Sequence, residues 1–252
     1  MRQPLIAGNW KMNGLIADAK ALAAGLKKEL AGHSGTPEIL VCPPFLALAA
    51  VREELQGSPI RLGAQDVHWE AKGAFTGELS TAMLQEVGCT AVLIGHSERR
   101  HIMGESNEQV NKKLKASLAA GLLPVVCIGE LLEERSMGVT REVVERQISK
   151  GFEGLSAEDA AKTVVAYEPV WAIGTGKTAT PRQAQEVHHY TRKLLSQKFG
   201  EAVGQGMRIL YGGSVTPETV KELMAEEDVD GALVGGASLK VDSFVKLVRY
   251  QS

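Results

Sequence analysis

The sequence predicts an α/β protein, a closed (β/α)8 barrel of eight parallel strands surrounded by helices. Short β-branched runs alternate with longer helical patterns from one end of the chain to the other, and there are eight such pairs. No linker, low-complexity tract or change of composition interrupts them, so residues 1–252 read as a single domain. Strands alternating with helices imply a parallel sheet, and eight units of this length fit a sheet closed on itself. The competing architecture, an open doubly wound sheet, normally has fewer strands.

In chain order, the strand Leu5–Asn9 precedes a helical stretch over 15–31, and Glu38–Cys42 precedes one over 45–56. Ile60–Ala64 leads to 80–87, and Ala91–Ile94 leads to 106–120. Leu123–Ile128 is followed by 131–152, and strand 163–167 by 181–200. The last two units are strand 207–211 with helix 217–226 and Gly231–Val234 with 241–250. Thr180-Pro181-Arg182-Gln183 and Ser106-Asn107-Glu108-Gln109 read as capping boxes, each with a hydroxyl at the N-cap and Gln three residues on. Pro181 and Pro217 fall at the first helical position, where the missing N–H costs nothing. Val139, Val143, Val144, Ile148 and Phe152 recur at helical spacing, which gives 131–152 one apolar face.

Composition narrows the function classes. A formal net charge of −2 gives no support for a nucleic-acid or anionic-membrane partner, so any attraction for an anionic ligand is local. The three cysteines, Cys42, Cys89 and Cys127, are odd in number and far apart, which points to a reducing compartment without disulfides or zinc. The early run Leu5-Ile6-Ala7 is too short for the core of a signal peptide. The longest apolar stretch, over 40–51, contains Pro43-Pro44 and is too short to span a bilayer. A cytoplasmic location follows as the expectation.

In such a barrel the C-terminal ends of the strands carry the active site and the opposite face carries stability. The polar residues at those ends are Asn9 and Lys11, then His96, Ser97 and Glu98, then Glu168, then Gly212-Gly213-Ser214, and finally Gly235-Gly236. Glu168 is followed by a loop over 169–180 with Pro at its entry and two Gly at its tip, which suggests a general base under a mobile lid. The plainer reading is a solvated carboxylate at a strand end. Desolvation by a closing loop would raise the basicity of the carboxylate.

His96, in Gly95-His96-Ser97-Glu98-Arg99-Arg100, stands where a strand end turns into a short helix. A helix N-terminus disfavours an imidazolium, so the expected species is a neutral imidazole donating to a substrate oxygen; a structural histidine is the alternative. Ser97 invites a Ser–His reading, but adjacent residues rarely form that relay, and no Gly-x-Ser-x-Gly elbow is present. Lys11 reads either as a surface lysine or as an ammonium offsetting a bound anion and a developing oxyanion. Ser214 and Gly235-Gly236 occupy the loops after strands seven and eight, the usual phosphate site of this barrel.

Two phosphate-loop look-alikes fail on position. Gly176-Lys177-Thr178 mimics the end of a P-loop, but the required first glycine would fall at Trp171. Gly174-Thr175-Gly176-Lys177-Thr178-Ala179 satisfies the dinucleotide pattern, but it starts six residues past the strand and precedes the helix instead of opening it. His188-His189 are neighbours that cannot share one helix face, and no His-Glu-x-x-His occurs, so no metal is expected.

Six motifs together resemble the triosephosphate isomerase family over the whole length. They are Gly8-Asn9-Trp10-Lys11-Met12-Asn13, Gly73-Ala74-Phe75-Thr76-Gly77-Glu78, Ile94-Gly95-His96-Ser97-Glu98-Arg99-Arg100, the run from Ala166 to Thr178, Tyr211-Gly212-Gly213-Ser214 and Leu233-Val234-Gly235-Gly236-Ala237-Ser238. The resemblance implies a TIM barrel that interconverts dihydroxyacetone phosphate and D-glyceraldehyde 3-phosphate through an enediolate, in glycolysis and gluconeogenesis, without cofactor or metal. It implies Glu168 as the base, His96 as the electrophile and Lys11 as the residue offsetting enediolate and phosphate charge. Asn9 resembles an orienting group, and Glu98, beside Ser97, a supporting carboxylate. Gly174, Ser214, Gly235 and Gly236 are similar to the family's phosphate contacts, and 169–180 resembles its lid. Asp66 stands where the family commonly has Asn. Family members are typically homodimers, and segment 65–78, with Trp69 and Phe75, resembles the interlocking loop. Other readings are a different phosphate-binding barrel enzyme, such as an aldolase, and a non-catalytic binding module on the same barrel.

Overall fold

The computed structural model describes residues 2–173 and 179–251. The strands are β1 (Leu5–Asn9), β2 (Glu38–Cys42), β3 (Ile60–Ala64), β4 (Ala91–Ile94), β5 (Leu123–Ile128), β6 (Val164–Tyr167), β7 (Arg208–Tyr211) and β8 (Gly231–Val234). Each pairs with the next in parallel, and β8 pairs back onto β1, so the sheet closes into a barrel. The outer layer includes α1 (Ile16–Glu29), α2 (Leu48–Glu54), α3 (Thr81–Glu86), α4 (Ser97–His101), α5 (Asn107–Ala119) and α6 (Leu132–Ser136). It continues with α7 (Thr140–Gly151), α8 (Ala157–Ala161), α9 (Pro181–Phe199), α10 (Glu201–Gly206), α11 (Val220–Leu223) and α12 (Val241–Val248).

Closure sorts the side chains by the two-residue period of a strand. Leu5, Ala7, Leu40, Cys42, Ala91, Leu93, Val125, Cys127, Val164, Ala166, Leu210 and Leu233 fill the barrel interior. Their strand neighbours, among them Ile6, Ile39, Leu62, Val92, Val126, Val165 and Ile209, face outward and pack under the helices. Strands buried on both faces read as continuous apolar runs, which is what made them recognisable.

The helical layer departs from the sequence expectations at identifiable places. The expected helix over 131–152 is two helices, α6 and α7. Gly138, at φ +75°, ends α6: its N–H bonds Arg135 O and the Val139 N–H bonds Glu134 O, the paired contacts of a Schellman stop. Val143, Val144, Ile148 and Phe152 still form the buried stripe, while Val139 lies just outside α7 and is half-buried. Helix α9 stops at Phe199 before Gly200, and α10 follows unanticipated. Helix α8 was also unforeseen, although Ser156 caps it by accepting the Asp159 N–H at 3.1 Å. β6 and β7 begin one residue late because Thr163 N–H bonds Ala160 O and Met207 N–H bonds Val203 O, which leaves both residues to the preceding helices. Pro217 precedes α11 instead of opening it: the N–H groups of Thr219 and Val220 both bond Thr216 O in a turn. The capping boxes at Ser106 and Thr180 form as expected.

At the N-terminal end of the barrel, the buried Arg192 of α9 ties three segments together. Its guanidinium donates to Asp228 Oδ1, to Asp230 Oδ2 at 2.7 Å, and to the carbonyls of Gly204 and Met207 at 3.0 and 2.8 Å. Burial works against ionising Asp228, but bonds from Arg192, Gln185 and His189 hold its carboxyl below the ordinary value. Arg192→Leu would leave two buried carboxylates short of their shared partner. A loss of about 3–5 kcal/mol in unfolding free energy is expected. Urea denaturation measures it, and a loss under about 1 kcal/mol would show that the network contributes little.

Candidate active site

The C-terminal mouth of the barrel encloses a cavity of about 480 Å3 whose lining includes Asn9, Lys11, His96, Glu168, Ser214, Gly235 and Gly236. Nearly every site residue expected from the sequence therefore converges there. Gly174 and the tip of the 169–180 loop lie outside the described residues. Ser97 and Glu98 contact the lining residues from behind.

Glu168 directly follows β6, is 2% exposed, and is fixed through its own backbone by the N–H bond to Ile128 O at 2.7 Å. Its carboxylate accepts the Ser97 N–H at 2.8 Å on Oε2 and lies 2.9 Å from His96 Nε2 on Oε1. Ser97 thus serves through its backbone, as the first residue of α4. Two glycines make the space for Glu168. A Cβ on Gly129 would sit 1.8 Å from the Glu168 carbonyl oxygen, and one on Gly212 would sit 2.7 Å from Glu168 Cγ. Gly129 escaped the sequence reading, although a glycine immediately after β5 was visible.

His96 caps α4, and its Nδ1 accepts the Glu98 N–H at 3.2 Å. That bond requires an unprotonated Nδ1, so in the neutral tautomer Nε2 carries the hydrogen and donates towards Glu168. Two opposing influences set the electrostatics of the pair. Burial pulls the His96 pKa down, but the facing Glu168 carboxylate outweighs it and the imidazole lies above its ordinary value. Burial likewise pushes Glu168 up, but His96, the Ser97 amide and Lys11 outweigh it and the carboxyl lies below its ordinary value. Glu168 is therefore ionised and held by His96, so the helix N-terminus alone does not decide the charge of the imidazole.

Lys11 is the one non-glycine residue with positive φ among those described, at +52°. Both ends of its peptide unit are clamped. Asn9 Oδ1 accepts the Lys11 N–H at 3.0 Å, and Gln65 Nε2 donates to Lys11 O at 2.8 Å. The strained backbone aims the ammonium across the mouth, where Nζ meets Glu98 Oε1 at 2.6 Å. A Cβ on Gly235 would lie 3.4 Å from Lys11 Cε, so the side chain passes directly over the expected phosphate loop. Gly236 then opens a 3-10 turn, Gly236–Leu239, held by the Ser238 N–H to Gly235 O at 2.9 Å. At the near arm of the 169–180 loop, Trp171 Nε1 and Tyr167 OH both donate to the fully buried Glu130, at 2.9 and 3.1 Å. The sequence reading missed this anchor because Glu130 lies on a neighbouring strand end.

A family model described as triosephosphate isomerase matches residues 4–251. The proteins named triosephosphate isomerase from Endomicrobium trichonymphae and Carboxydothermus hydrogenoformans are 56% identical over 250 residues and 55% identical over 249, with 99% of each chain covered. The one from Moorella thermoacetica is 54% identical over 250 residues, again with 99% of each chain covered. The chain belongs to the triosephosphate isomerase family. The resemblance carried by six motifs and the closed barrel expected from the strand pattern therefore both hold.

The opposed shifts of Glu168 and His96 can be tested by titration. In Glu168→Gln the carboxylate that raises His96 is gone, while burial and Lys11 still disfavour the imidazolium. NMR titration should place His96 above the ordinary histidine value in the wild type and below it in the variant. An unchanged midpoint would show that Glu168 does not set the charge of the imidazole.

Proposed function

We propose that Glu168, His96 and Lys11 are the groups through which this enzyme interconverts dihydroxyacetone phosphate and D-glyceraldehyde 3-phosphate. One observation carries the assignment: a buried carboxylate and an imidazole meet at 2.9 Å on one wall of a cavity that Lys11 crosses towards Gly235. The substrate phosphate sits against Ser214, Gly235 and Gly236, and Gly174 is assigned there by its motif. Glu168 leaves Ser97 and takes a proton from one carbon, the carbonyl oxygen gains a hydrogen bond from His96 Nε2, and an enediolate results. Returning the proton to the neighbouring carbon, while the hydroxyl proton passes from the first oxygen to the second by way of His96, completes the isomerisation with no external redox partner. Lys11 offsets the negative charge of enediolate and phosphate, Asn9 orients its backbone, and Glu98 holds its ammonium. The 169–180 loop covers the site and excludes water, which strengthens these contacts and protects the intermediate. No cofactor or metal enters the assignment.

Replacing Glu168 by Gln keeps the shape and removes the base. A positioned base is worth on the order of 10²–10⁴ in rate, so kcat should fall by about that factor while the circular dichroism spectrum and melting profile stay close to wild type. Near-normal turnover, measured in a coupled assay, would remove Glu168 from the role of base.

The same proposal covers assembly and location: one domain over 1–252, acting as a homodimer through 65–78 in the cytoplasm. Among the described residues no helix is long and apolar enough to cross a membrane. Met12, Phe45, Phe75, Ile102 and Met103 are exposed, and a cavity of about 430 Å3 lined by Met12, Phe45, Gln65, Asp66 and Met103 opens beside the catalytic mouth. An apolar set of this kind needs covering, and a second copy of loop 65–78 suits it. Within the loop, His68 stacks on Trp69 at 4.1 Å and meets Phe75 in a tilted contact at 4.2 Å, and Lys112 lies over the Trp69 ring at 5.1 Å, which leaves Phe75 at the outer edge. Phe75→Asp should raise the dimer dissociation constant about tenfold or more in sedimentation equilibrium. A wild-type monomer, or a variant that dimerises as tightly as wild type, would contradict this surface.

A further inference from the structure

The end of the barrel opposite the catalytic mouth holds charges that the reaction does not use. The two-residue alternation puts Glu38, Arg61 and Arg208 on the inward side of β2, β3 and β7, in line with Leu40 and Leu210. Both guanidiniums reach the same carboxylate oxygen, Glu38 Oε2, at 3.1 Å each. Arg61 is held further by Nε–H donation to Thr90 Oγ1 at 3.2 Å. Among the described residues the Arg208 side chain has no second ion-pair or hydrogen-bond partner. One carboxylate shared by two guanidiniums leaves one positive charge without a counter-ion. Both side chains are mostly withdrawn from solvent, at 33% and 17% exposure, so bulk salt screens that charge only in part.

Beside the pair lies a cavity of about 370 Å3 lined by Arg61, Arg208 and Lys162, with no Asp or Glu in its wall. Lys162 stands at the rim, where its ammonium pairs with Glu158 at 2.8 Å on the outer surface. Guanidinium groups with unused N–H donors match the oxygens of a phosphate group in geometry and charge.

We propose that this cavity is a second anion site, separate from the catalytic cleft, that takes a phosphate oxyanion between Arg208 and Arg61 with Lys162 at its rim. The bound dianion supplies the counter-charge that Glu38 alone does not provide. It joins β3 and β7 to the turn before β6, so its effect is on stability and not on turnover. Binding to the folded chain raises the melting temperature by mass action.

Isothermal titration with inorganic phosphate at low ionic strength tests this, with competitive inhibition of isomerisation reporting the catalytic site separately. The wild type should bind two phosphates per chain. Arg208→Gln should weaken the second site about tenfold or more, while the inhibition constant and kcat stay unchanged. Lys162→Gln, which leaves the Glu38 cluster untouched and so keeps the fold secure, should weaken the same site by a smaller factor. A single phosphate per chain in the wild type, or a second site indifferent to both substitutions, overturns the proposal.

Discussion

Closure of the sheet is the constraint on which the rest of the molecule depends. Once β8 pairs with β1, every strand has a neighbour on both sides and no edge remains. Each residue then faces either the interior or the helices, with no third choice. Inward residues from Leu5 to Leu233 make a buried, apolar centre. The polar side chains that do not fit there are driven to the two ends. Asn9, His96 and Glu168 come together at one end although they lie far apart along the chain, and Glu38, Arg61 and Arg208 come together at the other. Parallel pairing makes the two ends chemically different, because all strands finish at the catalytic end.

At that end the groups hold one another ready. Two consecutive residues, His96 and Ser97, bind the two oxygens of the same carboxylate. The imidazole is oriented in turn by the amide of Glu98, whose side chain holds Lys11. The short helix α4 therefore touches Glu168 and Lys11 alike and carries His96 at its cap. Arg100 secures it from the far side by donating to Gly95 O at 2.8 Å and to Cys127 O at 3.1 Å, which locks the helix to β4 and β5. Placement within about half an ångström is what such chemistry demands, and here backbone amides and side chains share it.

The strands were legible because a parallel strand buried on both faces leaves an unbroken apolar run, as in Ala91–Ile94 and Gly231–Val234. The mouth residues were legible because they follow those runs directly. Helix ends were less so. Gly138 breaks 131–152 through a left-handed stop that a periodicity reading passes over, since the apolar stripe on its far side keeps its phase. Helices α8 and α10 are too short to show a period at all. The charge states of Glu168 and His96 were not legible, because they depend on two buried groups facing each other across 2.9 Å. Gln65 and Glu130 act through contacts 54 and 41 residues away in sequence, with Lys11 and Trp171, and no local pattern marks them.

Gly129 has no freedom to vary. The space where a side chain would begin is already filled by the main-chain oxygen of Glu168. Most buried positions let a lineage exchange a little stability for a new residue and recover it elsewhere. At position 129 that exchange is closed, because any replacement displaces Glu168. With the role proposed for Glu168, selection on the reaction and selection on the backbone are there the same selection.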